Sequence, residues 1–326
     1  MIGRSRRRLV RVAGALIRPS TRSRYLAAIR ELASPRYALT GVDPCRVCGS
    51  RAAGPVTVTE AGTRASGPAP AKTLTVWICR VCRHVDNPEN VHDYRTFEAL
   101  DKLPDRARIG TLERPGREFY MASMAIDILD RSDLDVLVFG AGRSFDNHHI
   151  AALPRVRHVA IADVMKLRDD TEYIDANLPA PRRFDVVVAS EVIEHFLDPR
   201  QEMAHLLSYV QPDGLLVCST NVCDGGNLSR QHYLFLPGHT SYYSAESVTR
   251  LAEANGHHID IRTPLVATGY GGPRKRYVIL SASDDVMGAT ARYFRTRRYA
   301  PSESPTANTD LATERHAAAE GARPSE

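Results

Sequence analysis

The stretch that decides the fold of this chain reads FDVVVASEVIEH and covers residues 184–195. It begins with a nearly unbroken apolar run at residues 184–189, which is typical of a strand buried on both faces of a parallel sheet. Two carboxylates and an imidazole, those of Glu191, Glu194 and His195, follow directly. The stretch therefore predicts a buried strand whose carboxyl end carries a cluster of polar side chains.

Strands and helices alternate on both sides of this stretch. Further apolar strands are predicted at residues 135–140, 156–162, 172–174, 214–220, 258–263 and 277–282, and helices at residues 118–129, 200–210 and 245–255. Ser244 is placed to cap the last helix, and Gly256 to end it. This alternation predicts an α/β fold with a Rossmann-like, doubly wound and mostly parallel sheet of seven strands, covered by helices on both faces.

The cysteines form two pairs with the spacing of metal ligands. Cys45 and Cys48 make one C-x-x-C motif, and Cys79 and Cys82 make the other. Four thiolates give closed tetrahedral coordination, so the motifs predict a zinc-ribbon-like module with a structural zinc. The loop between the pairs exceeds the ~15–20 residues typical of zinc ribbons, and we assign the excess to a flexible insertion rich in Gly and Pro at residues 54–70.

Two redox dithiols are the alternative to zinc, and His84 is a nearby imidazole that we treat as a bystander. Thiolate ligands need a reducing compartment, which predicts a cytoplasmic location. No apolar run approaches the ~18 residues that a membrane span needs.

The chain divides into a basic N-terminal arm (residues 1–40), the zinc-binding module (41–95), the α/β domain (110–285) and a disordered tail (300–326). The tail has almost no large apolar side chain to offset the entropy of ordering. Three interpretations of the arm stay open: a solvated extension, which we favour, a basic helix on nucleic acid or anionic lipid, and an export signal. Its apolar stretch at residues 12–17 is shorter than the ~7–15 residues typical of a signal.

A candidate cofactor loop, Gly140-Ala141-Gly142, follows the first strand of the α/β domain. Glycine lets the backbone approach a ligand closely. Asp163 ends the next strand, where a carboxylate is able to accept both hydroxyls of a ribose. A dinucleotide-binding loop would need a third glycine where Phe145 stands, and the stretch 184–195 has no role in such a site.

This order of motifs, over about residues 111–282, resembles the core of class I S-adenosylmethionine (SAM) dependent methyltransferases, in particular the ubiquinone-pathway type. The resemblance implies that the glycine loop wraps the methionine end of SAM and that Asp163 holds the ribose. It also places Asp175 near the adenine. The chain departs from the family pattern at Val138, where an acid is usual, and at Ser144, where the last glycine of the loop is usual.

Glu191, Glu194 and His195, together with the distal His239, resemble the E-x-x-E-H set of RNA 3′-end 2′-O-methyltransferases and ubiquinone-pathway O-methyltransferases. In those enzymes the set holds a divalent ion against substrate hydroxyls. The resemblance implies a second, catalytic metal. The alternative is that one of the histidines acts alone as a general base, since an imidazole pKa near ~6.5 suits that task.

These observations predict a SAM-dependent methyltransferase that acts on oxygen or carbon of a small-molecule or sugar-containing acceptor. A cysteine-rich module ahead of such a core resembles bacterial C-methyltransferases of nucleotide-activated sugars, and residues 221–243 are expected to cover the acceptor. An RNA methyltransferase that uses the basic arm is a second hypothesis, but nucleic acid is not the favoured partner. A non-catalytic binding protein, suggested by Val138 and Ser144, is the third.

Overall fold

The structure is a computed structural model that describes residues 44–61, 71–92, 109–223, 225–263 and 275–296. The predicted basic arm (1–40) and disordered tail (300–326) lie outside these ranges, so those two predictions stay as they are. All described residues belong to one compact unit. None of the described helices has the length and the apolar character needed to cross a membrane.

Strands and helices alternate along the described ranges. The strands are β1 (Ala53–Thr59), β2 (Thr73–Cys79), β3 (Val85–Asp86), β4 (Leu134–Phe139), β5 (Val156–Asp163), β6 (Glu172–Asp175), β7 (Phe184–Ser190), β8 (Val210–Asn221), β9 (Ser241–Tyr242), β10 (His258–Arg262) and β11 (Lys275–Ser281). The helices are α1 (Arg117–Leu129), α2 (Asp146–Ala151), α3 (Pro199–Leu207), α4 (His232–Phe235), α5 (Ala245–Ala254) and α6 (Asp284–Thr296). Short 3₁₀ turns lie at Ile193–His195 and Leu228–Arg230.

The larger sheet has the strand order β10-β11-β8-β7-β4-β5-β6. Strands β6, β5, β4, β7 and β8 are parallel to one another, whereas β11 runs antiparallel to both β8 and β10. The α/β class and the mostly parallel sheet are therefore confirmed. The larger sheet has seven strands, the number predicted for it, and a second sheet of four strands, β1-β2-β3-β9, brings the total of described strands above seven.

The two faces of the larger sheet are both covered because side chains of its central strands alternate. In β7, Val187 and Ala189 join the apolar cluster that includes helices α3 and α5. Val186 and Val188 join the opposite cluster, which includes α1 and α6. An apolar run without polar gaps is what burial on both faces requires, and this is why residues 184–189 decide the fold.

The predicted ends of helix α5 agree with the structure, whereas the predicted end of helix α3 does not. Ser244 caps α5 through a hydrogen bond from Ser247 N at 3.0 Å, and Gly256 follows the helix with φ of 68°. The predicted helix 200–210 instead ends at Leu207, and Val210 already pairs with Phe184 as the first residue of β8. Strand pairing, which the periodicity of one segment does not reveal, sets this boundary.

The smaller sheet combines residues that are far apart in sequence. Strands β1 and β2 form an antiparallel hairpin, so Gly54 and Pro55 lie in a strand and not in the flexible insertion that we predicted. Residues 62–70 of that insertion lie outside the described ranges. Strand β3 pairs with β9, which comes from the segment predicted to cover the acceptor. The cysteine-containing region is thereby tied to the α/β domain by a shared sheet.

Candidate active site

The predicted site residues gather where the order of the parallel strands reverses. From β4 the chain adds β5 and β6 on one side and then returns to add β7 and β8 on the other. Ligands of such sheets bind outside the carboxyl ends of the strands at this switch point. The loops after β4, β5 and β7 carry most of the predicted site residues, so the topology brings them to one edge.

The glycine loop after β4 adopts a backbone that requires glycine. Gly140 and Gly142 have φ of 70° and 52°, in the left-handed region. A Cβ atom on Gly140 would lie 2.5 Å from Cγ2 of Val192, so any side chain there would clash. The glycine loop therefore packs directly against the residue that follows Glu191, and Ala141 between the glycines is buried.

Asp163 anchors this loop from the end of the neighbouring strand. Its Oδ2 accepts a hydrogen bond from Gly142 N at 2.8 Å, and its Oδ1 accepts one from Val164 N at 2.7 Å. Burial raises the pKa of the Asp163 carboxyl, and the bonds from the backbone amides oppose that rise. Asp175 lies beside Asp163 in the register of β5 and β6, and its Oδ1 accepts bonds from the backbone and side-chain nitrogens of Asn177.

The two residues that depart from the family pattern lie in different surroundings. Val138 lies in β4 and is buried in the apolar core on one face of the sheet. Ser144 donates a hydrogen bond from its Oγ to Oε2 of Glu118 at 3.2 Å. A buried carboxyl from α1 is thus supplied near the loop from elsewhere in the chain, and burial raises its pKa to about 8.

Sequence reasoning missed Glu118 and its neighbour Asp146. Asp146 accepts hydrogen bonds from Gly116 N at 2.6 Å and from Phe119 N at 3.2 Å, and so satisfies the first turn of α1. A signal was present: Glu118 stands four residues before Ala122, on the apolar face of α1. A carboxyl on an apolar face predicts a buried partner.

Glu191 does not join the other predicted polar residues. Lys275 Nζ donates to its Oε2, Ser219 Oγ donates to its Oε1 at 3.0 Å, and Arg117 lies 3.9 Å away. Burial acts to raise the pKa of Glu191, but the charges of Lys275 and Arg117 outweigh it and hold the pKa below its usual value. Its φ of 57° lies in the left-handed region and turns the backbone directly after β7.

Glu194, His195 and His239 do converge. One potential ligand atom from each lies within 4.8 Å of the others. Tyr233 donates from its hydroxyl to Oε1 of Glu194, and His195 Nδ1 bonds to the carbonyl of Gly238 at 2.8 Å. The imidazole rings of His195 and His239 are 4.8 Å apart. Residues 44 positions apart in sequence thus form one cluster after β7.

The donor atoms of this cluster fit a divalent cation. Oε2 of Glu194 and Nδ1 of His239 are buried and have no hydrogen-bond partner within the described ranges. Burial, with the charge of Glu191, raises the pKa of Glu194 to about 8, and burial lowers the pKa of His239 to about 2. A neutral imidazole is the form that binds a metal, and a cation would offset the cost of burying the carboxylate. One carboxylate with two imidazoles is a common set for first-row metals.

The four cysteines also lie as a metal site requires. Cys45 Sγ is 3.6 Å from Cys82 Sγ, and Cys48 Sγ is 3.6 Å from Cys79 Sγ. A tetrahedral zinc with Zn–S bonds of about 2.3 Å separates its sulfurs by about 3.8 Å. None of these four cysteines is in a disulfide, and their sulfur atoms all lie within 4.8 Å of one another. The structure thus brings together all four predicted ligands, and the set fits zinc.

We expect Lys275→Met to destabilise the protein by about 2 kcal/mol at pH 7, because the half-buried Glu191 carboxylate loses its nearest cation and keeps Arg117 at 3.9 Å. The pKa of Glu191 is depressed in the folded state, so the stability that the pair provides is present above the unfolded pKa and is lost as the pH falls through the folded one. The loss should therefore shrink in acid. Urea unfolding at pH 7 and pH 4 measures it. Lys166→Met, which breaks an exposed pair with Asp169, should cost far less.

A Rossmann-like sheet with a glycine loop after β4, an acid at the end of β5 and a polar cluster after β7 is typical of enzymes that bind a nucleoside cofactor. The matching family model is described as a methyltransferase domain and covers residues 24–260. The chain therefore belongs to this family of methyltransferase domains.

Solved structures similar to this chain have low sequence identity to it. One is a 1,6-didemethyltoxoflavin-N1-methyltransferase from Burkholderia thailandensis, with 16% identity, a TM-score of 0.38 and coverage of 49% of this chain and 75% of that one. Another is an O-methyltransferase family protein from the same species, with 16% identity, a TM-score of 0.40 and coverage of 50% and 55%. The [4+2]-cyclase SpnF has 16% identity, a TM-score of 0.39 and coverage of 56% and 88%. No curated protein matches the sequence.

Proposed function

We propose that this protein is a SAM-dependent methyltransferase that transfers a methyl group to an oxygen or a carbon of a small-molecule or sugar-containing acceptor. One observation carries the proposal. The glycine loop anchored by Asp163 packs through Gly140 against Val192, two residues before Glu194 of the polar cluster. A cofactor loop and a group of proton-accepting side chains therefore share one edge of the sheet.

The cofactor side of the site uses side chains and backbone that suit SAM. The loop at residues 140–142 carries one side-chain methyl group, that of Ala141, between two glycines. This loop would lie along the methionine end of SAM. Asp163 would accept the ribose hydroxyls, and Asp175, its neighbour in the register, would lie near the adenine. SAM supplies the electrophilic methyl group when bound, so the protein has only to position and deprotonate the acceptor.

The acceptor side would hold a divalent cation through Glu194, His195 and His239. Such an ion would lower the pKa of an acceptor hydroxyl, which favours oxygen over carbon as the methylated atom. The support is that Glu194 Oε2 and His239 Nδ1 are buried polar atoms that still need a partner. Tyr233 holds the other oxygen of Glu194 and forms part of the acceptor wall predicted at residues 221–243.

The four cysteines would hold a structural zinc. Their thiolates would survive in a reducing compartment, and this supports a cytoplasmic location for the protein. Because the small sheet includes β9 as well as β3, the zinc would stabilise part of the acceptor segment together with the cysteine module.

We expect purified protein to release S-adenosylhomocysteine (SAH) from SAM with a member of a panel of small hydroxylated acceptors. His239→Gln should lower kcat at least about tenfold and remove one divalent ion per chain, while SAH affinity stays unchanged. His257→Gln, which changes a half-buried imidazole hydrogen-bonded to Asn255 O at 2.8 Å, is the control. Activity that resists chelators but is lost in His239→Gln would assign the proton transfer to His239 alone.

Two other results would overturn the assignment. SAH binding without release from SAM in any acceptor panel would favour the non-catalytic binding protein. Release only with RNA, together with salt-dependent RNA binding that weakens on deletion of residues 1–36, would favour the RNA methyltransferase.

A further inference from the structure

The cysteine module contacts the loop that carries His239, which we define as residues 234–240. Strand β3 follows the second cysteine pair and aligns with β9 through Val85↔Tyr242 and Asp86↔Ser241. Strand β9 begins directly after the His239 loop. Two asparagines follow β3, at positions 87 and 90, and both are buried.

Asn87 bonds to three carbonyl groups of the His239 loop. Its backbone nitrogen donates to Thr240 O at 2.8 Å. Its side-chain Nδ2 donates to Leu234 O at 3.1 Å and to the carbonyl of His239 itself at 3.1 Å. One fully buried side chain thus spans the loop from its first residue to the residue before its last.

Asn90 bonds to the same loop from a second position. Its Nδ2 donates to Leu236 O at 2.6 Å and to His239 O at 3.3 Å, and its own carbonyl accepts from Gly238 N at 2.9 Å. Gly238 O in turn accepts a hydrogen bond from His195 Nδ1 at 2.8 Å, so the loop also fixes the second histidine of the cluster. The loop has little regular structure of its own, and these amides satisfy its buried carbonyls.

The other end of this connection lies among the zinc ligands. Arg46, between Cys45 and Cys48, forms an ion pair with Asp86 of β3 and donates to Leu197 O, two residues after His195. Ser244 Oγ donates to the carbonyl of Cys82 at 2.6 Å. The cysteine segments are therefore bonded to the chain two residues after His195 and five residues after His239.

We propose that Asn87 and Asn90 are positioning residues of the acceptor site, which hold His239 in place through the loop at residues 234–240. This inference rests on the proposed function, because it gives the cysteine module a role in the geometry of the same site. The asparagines touch neither cofactor nor acceptor atoms in this assignment; they act through His239.

The test follows His239 by the ¹⁵N chemical shifts of its imidazole in the full-length, zinc-replete protein, assigned with His239→Gln. Asn87→Ala and Asn90→Ala should shift these resonances and raise amide exchange at Gly238 and Thr240 by about tenfold. Asn255→Ala removes an amide bond to Leu251 O of 2.7 Å at the end of α5, and it should change neither. SAH affinity, measured by calorimetry, should stay at the wild-type value in all three variants.

Asn90→Gln keeps an amide donor and should restore the wild-type shifts at least in part, and it provides a second measurement if Asn87→Ala does not fold. Wild-type His239 shifts and wild-type exchange in folded Asn87→Ala and Asn90→Ala would overturn the inference. Failure of the proposed function gives a different result, since the wild-type protein would then bind no SAH, or would bind it without releasing any from SAM, whatever the asparagine variants do to His239.

Discussion

Asp163→Ala is expected to weaken SAH binding by at least about 100-fold. A carboxylate that accepts two ribose hydroxyls makes charge-assisted hydrogen bonds worth roughly 1.5–3 kcal/mol each, and the loss of about 3 kcal/mol is on the order of 100-fold in Kd. The substitution also releases Gly142 N, which Asp163 Oδ2 holds at 2.8 Å, so the glycine loop loses its anchor at the same time.

Isothermal titration of SAH into the variant measures this effect. Asp169→Ala is the control, because the side chain of Asp169 is 91% exposed and pairs with Lys166 at the surface. Since burial raises the pKa of Asp163, binding by the wild type should also weaken in acid, as the carboxylate takes up a proton. Wild-type affinity in Asp163→Ala would contradict the ribose assignment and with it the position of SAM at the switch point.

Cys79→Ser is expected to remove the zinc and to lower the melting temperature by roughly 10 °C or more. Structural zinc contributes about 10 kcal/mol or more to the folding of small zinc modules, and in a domain of this size each kcal/mol moves the melting temperature by about 2–4 °C. Cys79 is fully buried at the end of β2. A serine there provides no thiolate to bind zinc, and its buried hydroxyl is not accessible to water.

The loss should extend beyond the cysteine region, because the apolar cluster under the small sheet contains Val76 and Val85 together with Tyr233 and Leu234 of the acceptor segment. Zinc per chain, measured by atomic emission, and calorimetric melting together check the prediction. Cys223→Ser, a half-buried cysteine outside the set, is the control. If the variant retained one zinc per chain, His84, which is buried beside Cys45, would be the replacing ligand, and Cys79→Ser with His84→Gln would then lose it.

Some elements of the site followed from sequence because local rules govern them. The apolar run of β7, the glycines after β4 and the acid at the end of β5 each depend on a segment of a few residues and on where parallel strands end. The two C-x-x-C motifs predicted a four-thiol cluster because the short spacing within each motif keeps its two thiols close together. The structure then needed only to join one pair to the other, and the hairpin of β1 and β2 does so.

Other elements could not be predicted, because they depend on partners remote in sequence. Glu191 and Glu194 look equivalent in the motif, yet Lys275 neutralises one, and the hydroxyl of Tyr233 bonds to the other. Lys275 opens the antiparallel strand β11, whose first residue reaches the carboxyl edge of the sheet only because β11 reverses direction. Neither the hydrophobic periodicity nor the spacing of the motifs predicts the contact between Lys275 and Glu191.

The sequence by itself determined the α/β class, the order of the motifs along the strands and the chemistry of the candidate ligands, since burial patterns and glycine turns are properties of short segments. The tertiary structure decided which carboxylate is free to bind a ligand, and it decided that the cysteine module shares a sheet with the His239 loop. The physical reason is that charge neutralisation and hydrogen-bond satisfaction in a buried site are pairwise, and the pairs form only when the sheet brings distant strand ends together.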